Sequence, residues 1–129
     1  MPSLPLHLLA IGVGAACGAW LRWGLSLALN TRVPAFPLGT LAANLVGGYL
    51  VGLAVAWFAG RTDIDVAWRL FAITGFLGGL TTFSTYSAEV VEALMRGAFA
   101  AGVGIALAHL AGSLLLTWLG ILTYRALAA

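Results

Sequence analysis

Gly75-Phe-Leu-Gly-Gly-Leu-Thr-Thr-Phe-Ser-Thr-Tyr-Ser-Ala-Glu89 decides how this chain is read. Glycines, hydroxyl residues and a carboxylate lie together there, inside a sequence that otherwise looks soluble in lipid. Hydrocarbon tolerates broken backbone and polar side chains only where they line a cavity or meet protein partners. Something polar is therefore expected to pass along this segment or to sit in it.

The surrounding composition supplies the hydrocarbon. Of 129 residues, 62% are hydrophobic and 8% charged, and the mean hydropathy is +1.05. A soluble domain carries roughly 25% charged residues, so the deficit predicts a membrane protein. At roughly 20 apolar residues per crossing, the chain forms one domain over residues 1–129 with four transmembrane helices. The expected spans are 6–29, 38–59, 68–94 and 98–124, the third interrupted by the glycine-rich stretch, where Gly78-Gly79 should unwind the helix. Trp20, Trp23, Trp57, Trp68, Trp118 and Tyr124 fall towards span ends, as interfacial aromatics do. The start, Met1-Pro-Ser-Leu-Pro-Leu-His7, lacks a basic region, so no secretory leader is expected.

All six basic residues are arginines and the net charge is +2. That excess is too small and scattered for a nucleic-acid surface. Arg61, Arg69 and Arg125 lie towards one side of the membrane, and Arg22, Arg32 and Arg96 towards the other. Orientation is normally set by such residues, and an even tally gives no clear instruction. Either one weak cue decides, or the chain inserts both ways and pairs as an antiparallel dimer. The single Cys17 excludes an intrachain disulfide and a thiolate metal cluster.

Three polar faces stand out. In the second span Thr40, Asn44, Gly48 and Gly52 recur every four residues, on one helical face. Asn44 is either an interhelical hydrogen-bonding group or an amide facing a pore. In the fourth span His109, Ser113 and Thr117 repeat that spacing. After the third-span break come Phe83 and Tyr86, with Thr82, Thr85 and Glu89 extending the same side; Glu89 is either solvated near the interface or part of a path. Ring edges are electropositive and can favour an anion without the full charge that would trap it. A half-helix N-terminus offers N–H groups to an anion, and freed carbonyls can hold a cation. A lining rich in hydroxyls, amide and ring edges suits a small hydrated anion that must shed water and still leave.

Gly39-Thr-Leu-Ala-Ala-Asn44 followed by the 75–89 stretch closely resembles the Fluc/CrcB family of fluoride channels, a likeness that runs from Gly18-Ala-Trp-Leu-Arg22 to Leu110-Ala-Gly-Ser113. The resemblance implies an all-α, antiparallel, dual-topology homodimer in the bacterial inner membrane, passing fluoride passively outward. It implies a structural Na+ held by the backbone carbonyls of Gly78 and Thr81. It places Asn44, Phe83, Ser113 and Glu89 along the fluoride path, with Arg22 drawing anions in. Thr40, Thr82 and His109 join that path by position. Tyr86 stands where the family carries a second phenylalanine, and its hydroxyl either bonds fluoride or narrows the way.

Two rivals are weighed. A proton-coupled multidrug transporter needs a carboxylate in its first helix, and residues 6–29 contain none. A non-transporting assembly subunit would use the same polar faces only to bind other helices. An enzyme is not expected, because no nucleophile–base–orienter spacing is legible.

Overall fold

In a computed structural model, which describes residues 3–129, every regular element is helical. Met1 and Pro2, the beginning of the stretch read for a leader, lie outside the described residues. Helix α1 is Leu4–Leu29 and α2 is Leu38–Ala59. The third span, Val66–Met95, is bent into α3 (66–80) and α4 (Ser84–Met95), and α5 is Phe99–Ala128. Four spans are long and apolar enough to cross a membrane. Even the shortest, at 22 residues, reaches roughly 33 Å at 1.5 Å per residue, against roughly 30 Å of hydrocarbon. The expected boundaries hold within two residues, except that α5 runs on to Ala128.

Local chemistry sets the ends. Pro5 sits in the first turn of α1, where its missing N–H costs nothing. Asn30, just past α1, turns its Oδ1 onto the start of α2, accepting from the amides of Gly39 (2.7 Å) and Thr40 (3.2 Å). Asp65 caps the third span by accepting from the Ala67 amide at 2.8 Å. Helix α4 ends at Gly97, whose φ of +78° suits glycine. The Ala98 amide then reaches the Ala93 carbonyl and the Gly97 amide that of Leu94, closing a Schellman turn.

Two departures from expectation concern the third span. Residues Leu70–Leu77 form a wide π-helix, which nothing in the sequence announced. The break also falls later than Gly78-Gly79, since both glycines are helical and the chain first becomes extended at Thr81 (φ −87°, ψ 155°). The glycines serve close approach instead. A Cβ on Gly79 would strike the Ala15 carbonyl of α1. The helix opens where a side chain captures its backbone, as described below.

Helix α1 packs along α3, and α2 along α5. Both seams depend on missing Cβ atoms. Gly14 and Gly18 of α1 lie against the backbone of Phe71, Phe76 and Leu80, and Gly52 of α2 against the carbonyl of Thr117. Gly120 of α5 meets the Tyr49 carbonyl in return. The fully buried apolar core is small, built on Ala43, Leu77, Leu80, Ala93 and Ile105. Large apolar side chains such as Trp20, Leu114 and Trp118 face outward, as a lipid surroundings requires.

Gly52→Ala should lower the stability of the folded protein by about 1–3 kcal/mol through overpacking. Gly12→Ala, where nothing stands within 4 Å of the new methyl, should leave it unchanged. Thermal unfolding of the two variants in detergent checks the contrast, and equal losses would contradict the close-packed seam.

Candidate ion path at the broken helix

Breaking a helix inside a membrane frees amides and carbonyls that must find partners. Here the carboxamide of Asn44, on α2, takes the backbone of Thr82. Its Oδ1 accepts from the Thr82 amide at 2.7 Å, and its Nδ2 donates to the Thr82 carbonyl at 2.9 Å. One amide side chain thus pairs with both polar groups of the residue at the centre of the break. The second Nδ2 hydrogen points to Nδ1 of His109 on α5, also at 2.9 Å. Asn44 therefore ties three spans together at one level.

The break takes the helical amide donors from the carbonyls of residues 78–81. In an unbroken helix the Thr82 N–H would bond the Gly78 carbonyl and the Thr85 N–H the Thr81 carbonyl. Instead Thr82 donates to Asn44, and Thr85 donates to the hydroxyl of Thr82 at 3.1 Å. The carbonyls of Gly78, Leu80 and Thr81 are thus left without their helical amide donors, and the two expected to hold a cation, Gly78 and Thr81, are among them. The Gly79 carbonyl accepts from Nε of Arg22 at 3.0 Å. Arg22 thus braces the break from α1 through its Nε.

Beside the break lies a groove of about 440 Å³. Asn44, Thr82, Phe83, Tyr86, His109 and Ser113 line it, together with Gly78 and Thr81. Phe83 and Tyr86 meet edge to face, with centroids 5.3 Å apart and planes at 73°. Tyr86 in turn stacks on His109 at 4.6 Å and 26°. Its hydroxyl leans towards the Ala106 carbonyl of α5, at 3.4 Å.

Not every expected residue joins this groove. Thr40 is 1% exposed and donates to Oε1 of Glu89 at 2.6 Å. That pair lies one turn along α2 from Asn44, and it holds Glu89 inside the bundle rather than at its surface. Thr117 departs from the expected polar register, since its hydroxyl donates to the Gly48 carbonyl at 3.0 Å and stitches α5 to α2. Leu110 and Leu114 complete the groove wall. They were not anticipated, although their four-residue spacing, each one place after His109 and Ser113, is legible.

The family model for CrcB-like protein, Camphor Resistance (CrcB), matches residues 9–121 of this sequence. The chain belongs to this family. It is 63% identical over 121 residues to a protein of Dechloromonas aromatica named fluoride-specific ion channel FluC, covering 94% of this chain and 90% of that one. A protein of the same name from Cupriavidus taiwanensis is 60% identical over 124 residues, covering 96% and 98%. Another, from Thiobacillus denitrificans, is 64% identical over 112 residues, covering 87% and 90%. These alignments thus run over most of this chain and of each relative.

Asn44→Leu should cost about 1–3 kcal/mol for each Thr82 backbone group it strands. A lowered unfolding temperature, with loss of monodispersity in detergent, is the expected result. An unchanged unfolding curve would show that the amide does not hold the break.

Proposed function

We propose that the chain is a fluoride-specific ion channel that lets fluoride leave the cell passively. The observation that carries this reading is the neutral groove at the clamped break. Its polar groups are hydroxyls, one amide, an imidazole and two ring edges, in a protein whose near relatives bear the name of such a channel. Among the described residues no carboxylate lines the groove, and Glu89 is bonded to Thr40. A path built in this way replaces the hydration shell of a small anion without a cation to trap it. Fluoride enters acidified cells as neutral HF, dissociates in the more alkaline interior and returns through the pore, so no energy source is needed.

In this reading Phe83 and Tyr86 turn ring edges to the ion. Ser113 and the hydroxyl of Thr82 supply donors further along, while Asn44 holds the wall in shape and Arg22 fixes the Gly79 carbonyl behind it. Thr40 and Glu89 extend the polar line by one turn. The protein performs no chemistry on its substrate, and its place is the bacterial inner membrane.

A second copy completes the site. Phe83 is 76% exposed and Leu114 is 66% exposed, so the groove stands open along one side of the protomer. An antiparallel homodimer would cover it, and the even division of arginines between the two sides supports insertion in both orientations. The carbonyls of Gly78 and Thr81 fit a Na+ ion, which favours neutral oxygen ligands. Among the described residues no group of three His, Cys, Asp or Glu side chains offers a competing metal site. When bound, such a cation supplies fixed positive charge that steadies the break.

Phe83→Ile keeps an apolar side chain but removes the ring edge. Fluoride flux from proteoliposomes should fall at least tenfold, while gel filtration reports the same dimer as the parent protein. Flux at the parental rate would refute the ring-edge account.

A further inference from the structure

A second groove lies between α2 and α3, at the end of the bundle where residues 60–65 join them. Its volume is about 550 Å³. Leu50 and Ala54 of α2 and Ala72 and Phe76 of α3 form its walls, and its lining holds no charged side chain. Leu50 and Trp57, which both line it, are seven residues apart, so it follows α2 for roughly 10 Å at 1.5 Å per residue. A slot of that shape, running along the spans, admits a hydrocarbon chain.

Its mouth has a different chemistry. Arg61, just past α2, donates from Nη1 to the Trp57 carbonyl at 2.7 Å and to the Tyr124 hydroxyl at 2.9 Å. Its guanidinium carbon also lies 4.4 Å from the centre of the Trp57 ring. Trp57 and Tyr124 are themselves groove residues. These contacts fix the cation in place without cancelling its charge, because a carbonyl, a phenol and a ring are all neutral. Both bonds leave from Nη1, and among the described residues the Nε–Nη2 edge makes none. That edge is a planar fork suited to gripping a phosphate through two hydrogen bonds. On the facing wall Arg69 is exposed and comes three residues before Ala72, one turn nearer the same end. Asp65 of the connecting loop turns instead to the Ala67 amide.

We infer that this groove is a binding site for one anionic phospholipid, its phosphate held at Arg61 and Arg69 and an acyl chain lying along Leu50, Ala54 and Phe76. Charge complementarity selects this occupant. A zwitterionic lipid offers the same chain, but its own cation opposes the two arginines. Free phosphate would leave the apolar slot unfilled, and a second protein chain would have to bring an acidic group to the mouth. Basic pockets between membrane helices hold lipid headgroups by the same attraction. The lipid bridges α2 and α3 at the end where only a loop connects them.

Native mass spectrometry of the purified protein tests this, with detergent solutions titrated with phosphatidylglycerol or with phosphatidylcholine of the same chains. One lipid should be retained per protomer, phosphatidylglycerol about tenfold more tightly. Arg61→Gln and Arg69→Gln should each reduce that preference. Arg32→Gln, which removes a charge at the opposite end, should leave it intact. Ala54→Phe fills the slot and should weaken both lipids together, with circular dichroism and gel filtration establishing that each variant is folded. Equal retention of the two lipids, or a preference that survives both arginine changes, would overturn the site. Glycerol phosphate, a headgroup without chains, would also overturn it by competing as well as the whole lipid. A dimer that retains no lipid while the monomer retains one would show that a second copy covers the groove, and the proposal would fail.

Discussion

The pairing of one asparagine side chain with one backbone residue governs this structure. A helix broken at membrane depth strands polar groups that no water can satisfy, and each would cost on the order of 1–3 kcal/mol. Asn44 meets the amide and the carbonyl of Thr82 with matched geometry. Its remaining hydrogen goes to His109. Without that clamp the amide and carbonyl of Thr82 would be stranded beside the groove that Phe83 lines.

Everything around the clamp limits movement. The helices meet through glycines whose absent side chains let backbone touch backbone, at Gly14 and Gly18 on one seam and Gly52 and Gly120 on the other. With no hydrophobic drive between helices in lipid, such contacts supply the packing. Polar stitches cross the same seams, from Arg22 to Gly79 and from Thr117 to Gly48, and Thr40 joins α2 to Glu89 of α4. Buried polar groups thus form the firm part of this protein, and most of its large apolar side chains look outward.

Much of this was legible in the sequence because membrane helices are selected by length and apolarity, which are additive properties. The four spans and the polar face through Thr40 and Asn44 follow from counting and from helical period. The partners of that face do not. Nothing in the periodicity reveals that Asn44 would meet the Thr82 backbone rather than a side chain, or that Thr40 would meet Glu89. The break was misplaced by two residues because glycine has two uses, flexibility and close approach, and Gly79 serves the second against Ala15. The π-helix over Leu70–Leu77 packs against α1, and no residue preference in the sequence signals it. Thr117 shares the spacing of Ser113 yet bonds across to α2, since register fixes a face and not a partner.

The central claim is that the neutral groove at the clamped break conducts fluoride and excludes commoner anions. Efflux from liposomes holding the purified protein, followed with a fluoride electrode and repeated with chloride, addresses it most directly. Rapid fluoride loss with little chloride loss is the expected result. Loss of neither ion, from protein shown to be folded, would contradict the claim and reduce the polar faces to contacts between helices.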